Sequence, residues 1–210
     1  MVCTRPDISF AVCNAARFMH DPSVGHWESV RRIFRYLRGT INKGIVFKKI
    51  GTKQINLTLE VDASWASNDI TTWRSDTGYI AFVNGAPISW KCTRQKTIAQ
   101  SSTEAEYMGA CAAVKEAIWF RKLLFDLRLL KQEPTVIYED NRGCIALSTN
   151  PVNHERNKHI NVKYHLIRQA AENKQIVLVY KSTEDITADL LTKPMDSTNF
   201  KKCANKLTGD

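Results

Sequence analysis

Ile55-Asn56-Leu57-Thr58-Leu59-Glu60-Val61-Asp62 alternates without a break, Ile55, Leu57, Leu59 and Val61 on one side and Asn56, Thr58, Glu60 and Asp62 on the other. A period of two marks a β-strand with one buried face, and this one ends on an acid followed by the small Ala63. Next come Thr77 to Val83 and Ala86 to Lys91, rich in aromatic and branched residues and joined by Asn84-Gly85. That dipeptide favours a tight hairpin turn because its residues accept positive φ. Three strands therefore come first.

The period then changes. After Ser101-Ser102-Thr103 a long helix is expected to about Leu129, packing through Tyr107, Cys111, Val114, Ile118 and Phe120 or Leu124. Val136-Ile137-Tyr138 reads as a strand, Asn141 to Ser148 as a short helix, Asn150-Pro151 as a break, His159 to Glu172 as a helix and Ile176 to Tyr180 as a fifth strand. Thr183 is placed to cap a last helix carrying Asp189. The order is βββαβααβα. Strands four and five are reached through helices and so are expected parallel to strand one, which makes an α/β protein with a mixed five-stranded sheet. The residues after Met195 are polar and expected to fray.

Upstream, the first 40 residues read as a helical hairpin, and the Gly, Lys and Thr of residues 39–54 as a linker. Ile8, Ala11, Val12, Ala15, Phe18 and Met19 follow helical spacing, Asp21-Pro22 breaks the chain, and Val30, Ile33, Phe34 and Leu37 form a second stripe up to a stop at Gly39. Arg31, Arg35 and Arg38, with Arg32 beside them, make a basic ridge on another face. The formal charge is +9, and residues 1–56 hold ten Lys and Arg against three acids, so +7 of it lies there. Such a ridge is either a solvated face or a contact for a polyanion. Six cysteines are scattered without a C-x-x-C pair and read as reduced thiols. No apolar run approaches the ~18 residues of a membrane span.

Four acids stand where strands end or helices begin: Asp62, Glu106, Asp140 and Asp189. Each has a bland reading. Thr103-x-x-Glu106 and Ser101-x-x-Glu104 both have capping-box spacing, Asp140 can be an N-cap, and Asp189 can pair with Lys193 one turn on. These readings leave unexplained why the topology gathers four acids at one end of the central strands, where such sheets place ligands. Converging carboxylates suit a hard divalent cation such as magnesium.

Asp62-Ala63-Ser64-Trp65-Ala66, Ser75-Asp76-Thr77-Gly78-Tyr79, Ile88-Ser89-Trp90, Ser101-Ser102-Thr103-Glu104-Ala105-Glu106-Tyr107, Asn150-Pro151-Val152, Lys158-His159-Ile160, Tyr164-His165-Leu166-Ile167-Arg168 and Ala188-Asp189-Leu190-Leu191-Thr192-Lys193-Pro194 resemble the ribonuclease H domain of copia-type retrotransposon Pol polyproteins. Thr4-Arg5-Pro6-Asp7-Ile8, His26-Trp27-Glu28 and Arg35-Tyr36-Leu37-Arg38-Gly39-Thr40 resemble the last part of the reverse transcriptase just upstream. The resemblance implies a ribonuclease H-like fold over 55–195, a reverse-transcriptase remnant over 1–54 and a polar tail over 196–210. It implies an endoribonuclease that cuts the RNA strand of RNA/DNA hybrids, with Asp62, Glu106, Asp140 and Asp189 holding two magnesium ions, for which manganese can substitute. Glu104 is the rival for the helix position. Ser101, Ser102, Thr103 and Asn141 become candidate contacts to the RNA 2′-hydroxyl, and Arg31, Arg35 and Arg38 candidate phosphate contacts.

The other partner implied is the rest of the reverse transcriptase, inside the cell, in a cytoplasmic virus-like particle or the nucleus. Cellular members carry a histidine on a loop before the last Asp; Val179-Tyr180-Lys181-Ser182 holds none. His159 and His165, spaced His-x5-His, fit no common zinc motif. Tyr138-Glu139-Asp140-Asn141 lacks the second Asp of a polymerase palm, so DNA synthesis is not expected. Two alternatives stand beside the ribonuclease: a truncated or co-opted fragment that binds nucleic acid without cutting it, and an integrase-like nuclease of the same fold, whose final Glu and zinc module are not seen.

Overall fold

In the computed structural model, which describes residues 1, 3–49, 51, 54–66, 72–149 and 158–209 (for 149 and 158–164 the backbone alone), the alternating stretch forms β1, Leu57–Ser64. It pairs antiparallel with β2, Asp76–Val83, which pairs antiparallel with β3, Ala86–Arg94. Asn84 and Gly85 hold φ of 53° and 85° between them, the turn whose twist suits a two-residue hairpin. β4, Thr135–Glu139, and β5, Ile176–Tyr180, add in parallel beyond β1, giving the order β3-β2-β1-β4-β5. The expected mixed sheet is present. The break expected at Asn150-Pro151 lies outside the described residues.

Helices cover both faces. Two precede the sheet, α1, Ser9–Ala16, and α2, Val24–Gly39; of those after β3 the first three are α3, Ser102–Asp126, α4, Arg142–Thr149, and α5, Lys158–Glu172. α3 and α5 enclose the main core, in which Leu57, Leu59 and Val61 of β1 and Ile137 of β4 meet Tyr107, Cys111, Val114, Leu124 and Ile167. Each such side chain contributes ~1.5–3 kcal/mol on burial. α3 lies close over β1: a Cβ at Gly109 would come 3.3 Å from Val61 Cγ2. On the opposite face Ile80 and Phe82 of β2 pack against Leu190, Leu191 and the last helix, α6, Ser197–Leu207.

α6 corrects one expectation. The tail was expected to fray, yet Cys203, Ala204 and Leu207 are buried and Gly209 bridges to Gly44. Asp196 caps the helix, its Oδ1 accepting from the Thr198 and Asn199 amides at 2.9 and 3.0 Å. Phe200, Cys203, Ala204 and Leu207 then recur at helical spacing, so polar composition concealed an amphipathic stripe. A second correction concerns Asp189, which lies on a 3-10 turn, Thr187–Leu191, and not on an α-helix capped by Thr183. Thr183 opens a separate 3-10 turn, Thr183–Asp185, and Pro194 shortly after Leu191 suits an early stop.

The N-terminal hairpin is held by a polar knot. Arg5 donates to both carboxylate oxygens of Asp7, at 3.0 and 2.8 Å, and to the Thr40 carbonyl and hydroxyl, while the Tyr36 hydroxyl donates to Asp7 Oδ2 at 2.6 Å. Phe200 of α6 meets Tyr36 edge-on. Ser23 caps α2 through a reciprocal contact with His26. α1 ends before Phe18, which stacks on His26, and Met19 is exposed. Of the stripe expected on α2, Val30, Ile33 and Leu37 are half-buried, whereas Phe34 faces solvent because one flank of the helix has no covering element among the described residues. All six cysteines are free, and no described helix is long and apolar enough to cross a membrane.

Candidate metal centre

Asp62 comes from the penultimate turn of the β1 pleat. Val61 and Ala63 turn toward α3, so Asp62 leaves by the opposite side, buried to 2%. There the Thr192 hydroxyl donates to its Oδ2, and Lys193 Nζ lies 4.0 Å from Oδ1. Gly78, the register partner of Asp62, allows this approach: a Cβ there would fall 2.6 Å from Leu191 Cβ and 2.9 Å from Thr192 Cγ2. Only a glycine lets the segment carrying Asp189 press onto the sheet.

The start of α3 chooses between its two glutamates. Ser101 is the N-cap, its Oγ accepting from the Glu104 amide at 3.1 Å, and Glu104 Oε2 accepts from the Gln100 amide at 2.8 Å. Glu104 thus serves the helix end. Half a turn further on, Glu106 points inward and is 7% exposed. Asp140 follows β4 directly, and its Oδ2 accepts from the Thr183 hydroxyl at 2.6 Å. One oxygen each from Asp62, Glu106 and Asp140 lies within 4.8 Å of the others. Asp189 stands against Asp62 beside this trio, and its Oδ2 is 2.8 Å from Lys193 Nζ. Its sequence reading as an i+4 partner of Lys193 therefore holds together with its place at the site.

Glu139 is a neighbour that the sequence reading passed over. It is fully buried at the end of β4, with Oε1 accepting from the Asn141 amide at 3.1 Å. Strand parity was the available signal, since Thr135, Ile137 and Glu139 share the inward face. Among the described residues, three carboxylate oxygens here have no hydrogen-bond partner: Glu106 Oε2, Glu139 Oε2 and Asp189 Oδ1. Burial, then repulsion from Glu139, Asp62 and Asp140, pushes Glu106 up to about 11. Burial followed by Asp62 pushes Asp189 up to about 7, and burial also raises Asp62 and Glu139. Burial alone would lower the Lys193 ammonium, but Asp62 and Asp189 outweigh it and its pKa rises. Crowded, buried, orphaned carboxylate oxygens are the environment that a hard oxygen-liganded cation satisfies. The residues fit a divalent-cation site.

The other candidates divide. Thr103 and Asn141 meet across the start of α4, each within 3.2 Å of where a Gly143 Cβ would sit, and so lie near the trio. Asn141 Oδ1 accepts from the Cys144 amide at 2.9 Å, which caps α4 and leaves Asp140 free of that duty. Ser101 is spent on its cap, and Ser102 is exposed. Arg31, Arg35 and Arg38 are exposed on α2, Arg31 paired with Glu28 at 2.6 Å. They do not join the carboxylates. His165 is exposed, and the side chain of His159 lies outside the described residues.

A central antiparallel hairpin, two parallel strands and acids at the ends of β1 and β4 define the ribonuclease H-like class. A ribonuclease H1 isolated from compost by a metagenomic approach, LC11-RNase H1, superposes with a TM-score of 0.50 at 14% identity, over 72% of this chain and 98% of that one. No protein-family model matches the chain. The retrovirus-related Pol polyprotein from transposon RE1 of Arabidopsis thaliana is 43% identical over 204 residues, and that from transposon TNT 1-94 of Nicotiana tabacum 41% over 203, each alignment covering 97% of this chain. The chain is homologous to a segment of the copia-type retrotransposon Pol polyproteins. It spans only 14% and 15% of those two relatives.

Proposed function

We propose that this chain is the ribonuclease H module of a Pol polyprotein, hydrolysing the RNA strand of RNA/DNA hybrids to leave a 5′-phosphate and a 3′-hydroxyl. The observation that carries the reading is the trio of oxygens from Asp62, Glu106 and Asp140 within 4.8 Å. With Asp189, these residues would hold two magnesium ions, or manganese in their place. When bound, such a pair supplies activation of the attacking water and charge stabilisation at the leaving oxygen.

The chain's own groups set the conditions for that chemistry. Thr192 and Lys193 orient Asp62 and Asp189 from one side, and the Thr183 hydroxyl orients Asp140 from the other. Glu139, buried at the end of β4 and accepting from the Asn141 backbone amide, adds a further carboxyl beneath the site. Ser101, Ser102, Thr103 and the Asn141 side chain would contact the 2′-hydroxyl that distinguishes RNA from DNA. Arg31, Arg35 and Arg38 would engage backbone phosphates at a distance, alongside the remaining reverse transcriptase, in a cytoplasmic particle or the nucleus. A binding-only reading has one observation in its favour, the Lys193 ammonium that already neutralises Asp189. Incubation with magnesium and labelled RNA/DNA hybrid, double-stranded RNA and duplex DNA separates the two. Selective cutting of the hybrid RNA supports the ribonuclease, and binding without cutting supports the alternative.

A further inference from the structure

We infer that Trp65 is a stacking platform for a nucleotide of the strand being cut, beside the carboxylate centre; the inference rests on the ribonuclease reading above. Trp65 follows Asp62 by three residues, immediately past the end of β1, and is 51% exposed. An exposed tryptophan is ordinarily loose, and this one is fixed. Its indole Nε1 donates to the Ala99 carbonyl at 3.0 Å. The next residue, Ala66, is held at φ 47° with its amide donating to Ser75 Oγ at 3.2 Å. The polar edge of the ring is thus spent inside the protein, and a large apolar surface remains open to solvent.

Its position joins the two halves of the site. Ala63, two residues before Trp65, packs with Ala99, Ala105 and Met108 in a small cluster under the start of α3. Trp65 is hydrogen-bonded to one member of that cluster, Ala99, and Glu106 follows another, Ala105. The indole therefore bridges the strand that carries Asp62 and the segment leading into the helix that carries Glu106. Aromatic faces hold nucleotides that are splayed from the stack, so this contact requires the nucleotide beside the cut to turn its base or ribose toward the ring. A pre-fixed ring loses little conformational freedom on binding, so more of the contact reaches the affinity.

The test measures binding of RNA/DNA hybrid by anisotropy with calcium replacing magnesium, for wild type, Trp65→Ala and Trp65→Phe, followed by cleavage in magnesium at saturating hybrid. Trp65→Ala should bind about tenfold more weakly, in the range for loss of a base-stacking aromatic. Trp65→Phe keeps the ring and loses the bond to Ala99, so it should bind nearly as wild type. A single abasic nucleotide moved along the RNA strand should then weaken wild type at one position near the cut and leave Trp65→Ala indifferent there. Unchanged binding by Trp65→Ala overturns the inference. So does equal weakening of Trp65→Phe and Trp65→Ala, which would make the Ala99 bond the only role, or abasic sensitivity shared by all three proteins. Sensitivity confined to the DNA strand assigns the ring to the wrong strand and also overturns it. Failure of wild type to bind or cut hybrid removes the ribonuclease reading itself and this inference with it, a result distinct from each of these.

Discussion

Glu104 and Glu106 stand two residues apart on α3, one serving the Gln100 amide at the helix end and the other buried among carboxylates. Glu106→Gln should therefore abolish hybrid cleavage, whereas Glu104→Gln should leave it intact and cost at most ~1 kcal/mol of stability. Cleavage rates and thermal melts of the two variants check this, and the reverse result would move the site to Glu104. The same carboxylates govern pH dependence. In an unfolded chain they titrate near ~4, whereas burial raises Asp189 to about 7 and Glu106 to about 11 in the fold. A carboxyl raised on folding favours the protonated native state, so its contribution is complete below pH ~4 and is lost as pH climbs through the folded values. Metal-free protein should melt lower at pH 8 than at pH 5.5, magnesium should restore more at pH 8, and Glu106→Gln should flatten the metal-free slope. A metal-free melting temperature that is level between those pH values, with Glu106→Gln unchanged in slope, would contradict the buried-carboxylate account. The acids at strand ends were legible residue by residue, and family resemblance separated Glu106 from Glu104. Glu139 was not, because an acid preceding Asp140 reads as one more solvated charge until the parity of β4 is counted.

The sheet was the most legible set of elements. Strict alternation in β1 and the Asn84-Gly85 turn are local signals that tertiary packing reinforces. The segments after β5 were less legible. The turn bearing Asp189 is five residues long, too short for periodicity to show, and its placement depends on Gly78 across the sheet, a proximity that local sequence does not announce. α6 left a trace in Asp196 followed by Phe200, Cys203, Ala204 and Leu207, hidden by the lysines and asparagines between them. Leu207 is 1% exposed in the second core. Leu207→Ala should cost ~2–5 kcal/mol, as large-to-small core changes do, and denaturant melts measure it. A loss below ~1 kcal/mol would mean that the tail frays as its composition suggested.

Across the whole molecule, the basic ridge on α2 stands apart from the carboxylate trio. Arg31, Arg35 and Arg38 lie on α2, and the hairpin docks through Pro6 to Ser9, through Cys13 and Arg17, which reach the Cys92 carbonyl and Asp76, and against α6. The ridge is proposed to act on binding and not on chemistry. Arg31→Ala/Arg35→Ala/Arg38→Ala should weaken hybrid binding, lower the slope of log affinity against log salt by roughly one for each phosphate no longer neutralised, and leave cleavage at saturating hybrid unchanged. Identical salt slopes would make the ridge a solvated face. The charge excess was plain in the sequence; how the hairpin sits was not, because the Arg5, Asp7, Tyr36 and Thr40 knot joins residues far apart in the chain.

Everything proposed for this chain depends on the carboxylates at the ends of β1 and β4 acting as a metal centre that cuts RNA paired with DNA. The decisive comparison sets wild type beside Asp140→Asn, in magnesium as the sole divalent metal, for release of 5′-phosphorylated RNA from a labelled hybrid, with a melt of each metal-free protein alongside. Wild type should cut and Asp140→Asn should not. The metal-free melting temperature of the variant should equal or exceed that of wild type, since removing one of several crowded charges relieves repulsion. Cleavage by Asp140→Asn at a rate close to wild type would refute the metal-centre reading.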